Sequence, residues 1–98
     1  MLHMKSNFDE NVIWELIGYI KISKSRYQTL KSLENEFLMP SEITKRTNLR
    51  DYQISTALHD LKDNKLVICR NENARKGRIY QITELGSTVL EIIENNKC

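Results

Sequence analysis

The sequence predicts an α+β, mainly α, domain in which five helical segments frame one short antiparallel hairpin. Three observations predict it. Apolar residues recur at three- and four-residue spacing in stretches bounded by cap-forming residues, the mark of amphipathic helices. One stretch, LVICRNENARKGRIYQIT from Leu66 to Thr83, instead shows two short β-type segments around a polar, basic loop. Positive charge also gathers in one place. Residues 41–80 carry nine Lys or Arg against five Asp or Glu, residues 1–40 balance at five each, and residues 81–98 carry one against three.

From Asn7 to Ile22, Val12, Ile13, Leu16, Ile17 and Ile20 form one apolar stripe, and Asn7 with Glu10 has the spacing of a capping pair. The chain breaks near Ile22 to Lys24. Ser23 or Ser25 caps a second helix, Ser25 standing at capping-box spacing from Gln28, with Tyr27, Leu30, Leu33 and Phe37 toward the core. Pro40 is the one proline, and proline suits the first helical position because its missing N–H would lack a partner there. A short helix, 40–46, follows, with Ile43 as its core contact. Residues 47–50 form a turn in which Asn48 tolerates the left-handed conformation better than most non-glycine residues.

The helix over 51–64 has the clearest pattern. With Ile54 as the zero of a wheel turning about 100° per residue, Ala57, Leu58 and Leu61 lie within about 60° of it. Tyr52, Thr56 and His59 lie within about 40° of the opposite pole. One face is core and the other is polar with an aromatic. Residues 66–70 and 78–83 are then strands, joined by a loop in which Gly77 supplies any positive φ. Thr83 caps a last helix, 84–95, whose Leu85, Val89, Ile92 and Ile93 repeat at helical spacing. Residues 1–6 and 96–98 are expected to be loose ends.

Ninety-eight residues fit one domain with a core over 23–83 and flanking helices over about 9–22 and 84–95. Hydrophobic content of 40% with 29% charged residues is ordinary for a globular chain, and no apolar run approaches a membrane span. The first residues, MLHMKSNFDE, lack a signal-peptide core, which points to the cytoplasm. Cys69 and Cys98 have no metal-ligand or CxxC spacing and read as reduced thiols. Cys69, on the first predicted strand, is open to oxidation in principle, but its apolar neighbours favour an inert buried thiol. No Ser-His-acid pattern, glycine-rich phosphate loop or metal cluster stands out, and His3 and His59 are far apart. The chain therefore reads as a non-enzyme, with no metal or cofactor.

Helix, helix, short helix, turn, helix, strand, wing, strand, helix is an order with a known counterpart. The segments PSEITKRTNLRDYQISTALHDLKDNKLV and ARKGRIYQITELGSTVL make the chain resemble winged helix-turn-helix transcriptional regulators of the MarR and ArsR neighbourhood, especially the small single-domain regulators of archaea. The resemblance covers about residues 23–93. Its marks are a short positioning helix before a recognition helix, L-x-x-L ahead of a strand, and an R-x-Y-x-[IL]-T-x-x-G element closing the wing. Met39 stands where the family often has a Ser or Thr cap, and Asn48 and Lys65 stand where glycines are common.

The resemblance implies sequence-specific binding of double-stranded DNA, with helix 51–64 in the major groove and wing 70–79 on the backbone or in the minor groove. Tyr52, Gln53, Ser55, Thr56 and His59 are then the candidates to read bases. Gln53 has the shape to pair bidentately with adenine and Thr56 to meet a thymine methyl, while Tyr52 or Ser55 can equally hold phosphate. Arg50 is a phosphate or guanine contact, and Arg75, Lys76 and Arg78 are the wing's cations. Ser41, near the start of the positioning helix, is a phosphate donor. Lys45 and Arg46 are weaker candidates. Blander readings stand beside these: Tyr52 packed on the preceding helix, His59 merely solvated, and Arg78 paired with Glu72 across the hairpin.

A protein-interaction module within a transcription or other complex is the rival reading, because winged helices serve both ends. The basic middle segment and the polar face of helix 51–64 favour DNA. One wing and helix cover a single half-site, so a homodimer is expected, with Trp14, Tyr19 and Leu90 on the flanking helices as its interface. The target sequence and any effector ligand are not written in these residues.

Overall fold

The computed structural model describes residues 8–95. Along that stretch run α1 (Glu10–Lys21), α2 (Lys24–Ser32), α3 (Pro40–Thr47), α4 (Asp51–Asp63), β1 (Val67–Cys69), β2 (Tyr80–Ile82) and α5 (Glu84–Asn95). This is the order of a winged helix.

α1 starts at Asp9, whose carboxylate accepts from the Asn11 amide at 2.9 Å. Of the expected Asn7–Glu10 pair, Asn7 lies outside the described residues, and Asp9 supplies the cap. Ile13, Leu16, Ile17 and Ile20 are buried, but Val12 is 44% exposed. It lies about 100° around the wheel from Ile13, just outside the arc that the other four share.

Ser23, not Ser25, caps α2: its hydroxyl accepts from the Arg26 amide at 3.3 Å, and the Ser25 hydroxyl lies 3.2 Å away from it. Leu30 and Leu33 are buried as expected, together with Thr29. Phe37 is not part of the core. The helix ends at Ser32, so helical spacing no longer governs Phe37, which is 54% exposed and lies under the Arg70 guanidinium at 4.5 Å.

Two left-handed residues redirect the chain, one after α3 and one after α4. At the end of α3, Asn48 has φ 61° and donates its N–H to the Thr44 carbonyl at 3.0 Å. Leu49 is thereby turned inward, and its amide meets the Thr47 hydroxyl at 3.2 Å. At the end of α4, Lys65 has φ 62° and donates to the Lys62 carbonyl at 3.0 Å, while the Leu66 amide reaches the Leu61 carbonyl at 2.8 Å. This bond pair is the Schellman motif, and Leu61 and Leu66, both fully buried, supply its apolar contact. Glycine usually fills such sites because it has no Cβ to clash. Here Asn and Lys hold them instead.

β1 and β2 pair antiparallel, Val67 with Ile82, Ile68 with Gln81 and Cys69 with Tyr80. Leu38 joins the other edge of β2 through two backbone bonds with Tyr80, of 2.9 and 3.1 Å. The strands are three residues each, shorter than the expected 66–70 and 78–83, because the wing's own hydrogen bonds take up the chain at the loop end and the α4 turn and α5 cap take up Leu66 and Thr83 at the other. α5 starts where Thr83 accepts from the Gly86 amide at 3.0 Å and donates to the Lys65 carbonyl at 2.8 Å. Its Val89, Leu90, Ile92 and Ile93 close the core against α1.

Polar contacts bind the helices at the rim. Arg26 of α2 covers the Tyr19 ring at 3.7 Å, donates to the Tyr19 carbonyl at 3.1 Å and pairs with Asp60 of α4 at 3.4 Å. Lys31 pairs with Glu34 at 2.8 Å and with Glu94 of α5 at 2.6 Å, and these two carboxylates hold its ammonium charged well above the ordinary lysine range.

Gly86 is the tightest position in this frame. A Cβ there would stand 2.2 Å from the Leu66 carbonyl oxygen and 2.8 Å from the Ile82 side chain. Gly86→Ala therefore forces α5 off the sheet, and we expect a loss of about 2 kcal/mol or more. For a domain of this size that is a fall of roughly 8–16 °C in Tm, measurable by circular dichroism.

Candidate nucleic-acid interface

α4 presents the predicted face. Ile54, Ala57, Leu58 and Leu61 point inward, and Tyr52, Ser55, Thr56 and His59 are exposed. Tyr52, at 67% exposure, is not packed on the preceding helix. The angle between α3 and α4 is held by Thr44, whose hydroxyl lies 3.1 Å from the Pro40 carbonyl and 3.2 Å from the Asp51 carboxylate.

The caps of these two helices are built alike. Met39 and Arg50 occupy the N-cap positions without a side-chain cap, and in each case the third helical residue reaches back. Glu42 accepts from the Met39 amide at 2.8 Å, and Gln53 accepts from the Arg50 amide at 2.9 Å. This alters the expectation for Gln53. Its carboxamide oxygen is occupied by the cap, so bidentate pairing with adenine would require that bond to open. Arg50 itself is exposed at the start of α4.

The wing is a loop closed on itself. The Asn71 carboxamide takes the Ile79 amide at 2.7 Å and donates to the Gly77 carbonyl at 3.0 Å, while Gly77 turns with φ 68°. Arg78 donates from Nε to the Ala74 carbonyl at 2.9 Å and from a terminal nitrogen to the Glu72 carbonyl at 3.1 Å. Arg78 thus sits in the loop, ahead of β2, and meets the main chain of Glu72 and not its carboxylate. The Glu72 carboxylate pairs with Lys62 of α4. Lys62 holds that carboxyl below its usual range, and Glu72 in turn raises the lysine. Cys69 is buried beside Asn71, its sulfur 3.6 Å from the carboxamide oxygen.

A groove of about 410 Å³ runs between the wing and the start of α3, lined by Met39, Pro40, Ser41, Arg75, Lys76, Gly77, Arg78 and Tyr80. It brings together four of the candidates for backbone contact, Ser41 from α3 and Arg75, Lys76 and Arg78 from the wing, while Arg50 lies outside it. These residues are more than thirty positions apart in sequence, and the Leu38–Tyr80 bridge is what draws them together.

Not every cation of the basic segment is available. Arg46 is paired with Glu36, which raises its pKa further, and Lys62 is paired with Glu72. Arg70 lies over Phe37 and donates to Gln81 at 2.7 Å. The side chains of Lys45, Arg50, Lys65, Arg75 and Lys76 are exposed and make no hydrogen bond or ion pair among the described residues. Nine charges that are equivalent by sequence thus fall into three kinds: paired, engaged and free of protein partners. Pairing between residues ten apart, such as Glu36 with Arg46 or Lys62 with Glu72, leaves no local sequence signal.

The expected dimer residues do not share one surface. Leu90 is 1% exposed and belongs to the core of this chain, because α5 turns both Val89 and Leu90 inward against α1. Tyr19 is partly covered by Arg26. Trp14 is 45% exposed. Among the described residues no helix is long and apolar enough to cross a membrane, and no group of three or more His, Cys, Asp or Glu is placed to hold a metal.

The fold has solved counterparts. TubR from Bacillus thuringiensis serovar israelensis pBtoxis, solved bound to 24 bp of tubC, superimposes with a TM-score of 0.75 at 15% identity, over 94% of this chain and 99% of that one. A MarR family regulator from Neisseria meningitidis gives a TM-score of 0.67 at 21% identity, over 87% of this chain and 61% of its own. A MarR mutant from E. coli, complexed with operator DNA, gives 0.66 at 18% identity, over 88% of this chain and 63% of its own. The chain thus spans the whole of TubR and a little under two thirds of the MarR chains. No family model matches the sequence, and no curated protein is significantly similar to it. At these identities the likeness establishes the winged-helix fold.

Asn71 is the clip that closes the wing. Asn71→Ala removes both of the carboxamide's main-chain hydrogen bonds and the Cys69 thiol contact at once, and leaves the Ile79 amide without its partner. We expect a loss of about 1–3 kcal/mol and faster hydrogen exchange at Ile79, with α1 and α5 amides unchanged in relative protection.

Proposed function

We propose that this chain binds double-stranded DNA sequence-specifically as a cytoplasmic transcriptional regulator, with α4 in the major groove and the wing on the sugar-phosphate backbone or in the minor groove. The observation that carries this reading is the groove joining Ser41 to Arg75 and Lys76, two cations whose side chains have no partner among the described residues, beside a helix whose outer face is polar. Phosphate contacts supply affinity without sequence information, and side chains on a helix in the major groove supply the discrimination. Support comes from the fold's neighbours, since TubR and a MarR mutant were each solved on DNA.

Roles divide by chemistry. Arg75, Lys76, Ser41 and Arg50 hold phosphates; Ser55, Thr56, Tyr52 and His59 face the bases. Arg78 shapes the wing and acts at one remove. A gel shift on random duplex at low salt tests the reading directly, and no binding at micromolar protein overturns it. Changing Arg75 and Lys76 together to Ala should weaken binding to every sequence and flatten the salt dependence by about 0.9 for each phosphate no longer held. Thr56→Ala should cost roughly 1–3 kcal/mol on the preferred site alone. Arg78→Ala should lower both affinity and Tm, a pairing of effects that the Arg75 change does not share.

We further propose a homodimer. Trp14 on α1 is the anchor of the interface, and Leu90 has no part in it. Recognition helices set about 34 Å apart would then meet successive major grooves of a palindrome. Light scattering at tens of micromolar should give twice the chain mass, and Trp14→Arg should give the monomer.

A further inference from the structure

We propose that Glu72 is a positioning residue for DNA recognition: its carboxylate, by pairing with Lys62, sets the wing at a fixed angle to the recognition helix. This rests on the DNA-binding reading above and adds to it how wing and reader are held in register.

Glu72 is the one acidic residue between Asp63 and Glu84, in a wing that carries Arg70, Arg75, Lys76 and Arg78. A surface serving only to attract phosphate would be stronger without it, because a carboxylate near the backbone repels the charge that the neighbouring cations attract. Its placement suggests another use. Lys62 stands in the last turn of α4, and Glu72 in the wing loop. Among the described residues this is the one side-chain hydrogen bond or ion pair that joins α4 to loop 70–79.

The residue is fixed from both sides. Its carbonyl accepts from Arg78, which also holds the Ala74 carbonyl, so the stretch that carries Glu72 is part of the closed body of the wing. Wing and helix are otherwise joined through the Schellman turn at Lys65 and the short β1, a link that fixes where the wing begins but not where its tip points. The Lys62 contact ties the loop down. From Lys62 to Asp51 the helix axis runs about 16 Å, so a small tilt of the wing displaces Arg75 and Lys76 relative to Ser55 and Thr56 by a distance that matters to a hydrogen bond.

The sign of the effect separates this from simple charge. Removing an acid from a cationic surface should tighten binding to all DNA. Removing a positioning contact should weaken binding to the preferred site while leaving random duplex as tight or tighter. An exposed pair of this kind is worth a factor of about two to five.

Binding is measured by fluorescence anisotropy on the site selected from a random pool and on a scrambled duplex, for the wild type, for Glu72→Gln, and for the charge swap Lys62→Glu with Glu72→Lys. We expect Glu72→Gln to lower the ratio of preferred to scrambled affinity by about two- to five-fold, and the swap, which restores an ion pair at unchanged net charge, to recover it. Glu72→Gln tightening both duplexes equally would overturn the positioning role. So would a swap that stays at the Glu72→Gln level. Failure of the wild type to bind either duplex would instead overturn the DNA reading itself.

Discussion

The sheet, the wing that grows from it and the last helix all depend on how α4 ends. Lys65 turns into the left-handed region, and the turn delivers the Leu66 amide to the Leu61 carbonyl and the Leu66 side chain to the core. The same two residues then organise the sheet and the last helix. The Leu66 carbonyl accepts from the Thr83 amide at 3.0 Å, and the Lys65 carbonyl accepts from the Thr83 hydroxyl, so the start of β1, the end of β2 and the cap of α5 meet at one point. Gly86 packs on the same Leu66 carbonyl without room for a methyl group. A left-handed lysine costs roughly 1–2 kcal/mol against glycine's ease. That cost is offset because helix, sheet and final helix all receive a partner from the same turn.

This junction explains why a wing of such short strands is a definite shape. Three residue pairs and one bridge are too few to hold a hairpin in water. The loop is instead closed by side chains, Asn71 and Arg78 taking main-chain groups that a longer ladder would have satisfied. An arginine used in this way still carries its charge. It is held to the main chain of the wing, which leaves Arg75 and Lys76 as the wing cations whose side chains have no partner among the described residues.

The elements were legible in the sequence to the extent that their cause was local. Pro40 marks the start of α3, Thr83 that of α5, and the four apolar residues of α4 identify its inner face, since caps and periodicity act within a turn or two. The left-handed Asn48 and Lys65 were visible as departures from positions where glycine is common. The features that were not legible were set by distance. Phe37 is in helical phase with Leu30 and Leu33, yet the helix stops first. Leu90 looked spare on a single-helix view and is buried because α1 and α5 cover each other. Gln53 sat on the expected face, but its role in the cap emerges only when the backbone of Arg50 is in place. The groove from Ser41 to Arg78 needed the strand bridge at Leu38, a single residue pair with no pattern to announce it.

The sorting of cations bears on how tightly one chain can hold DNA. Nine positive residues in the basic segment suggest a strongly salt-dependent binder, but Arg46 and Lys62 are already neutralised and Arg70 and Arg78 are engaged. At most five remain without partners among the described residues of that segment. With each phosphate contact contributing about 0.9 to the slope of log K against log salt, these five supply about −4.5, and Arg70 and Arg78, still charged though engaged, can bring the segment to about −6.3. A slope well beyond that, measured on a single operator, draws on cations from outside this segment, of the same chain or of a second one. A slope at or below it is within the reach of one chain alone. The magnitude of the salt dependence is thus set less by the count of cations in the segment than by which of them the fold has already paired with a carboxylate.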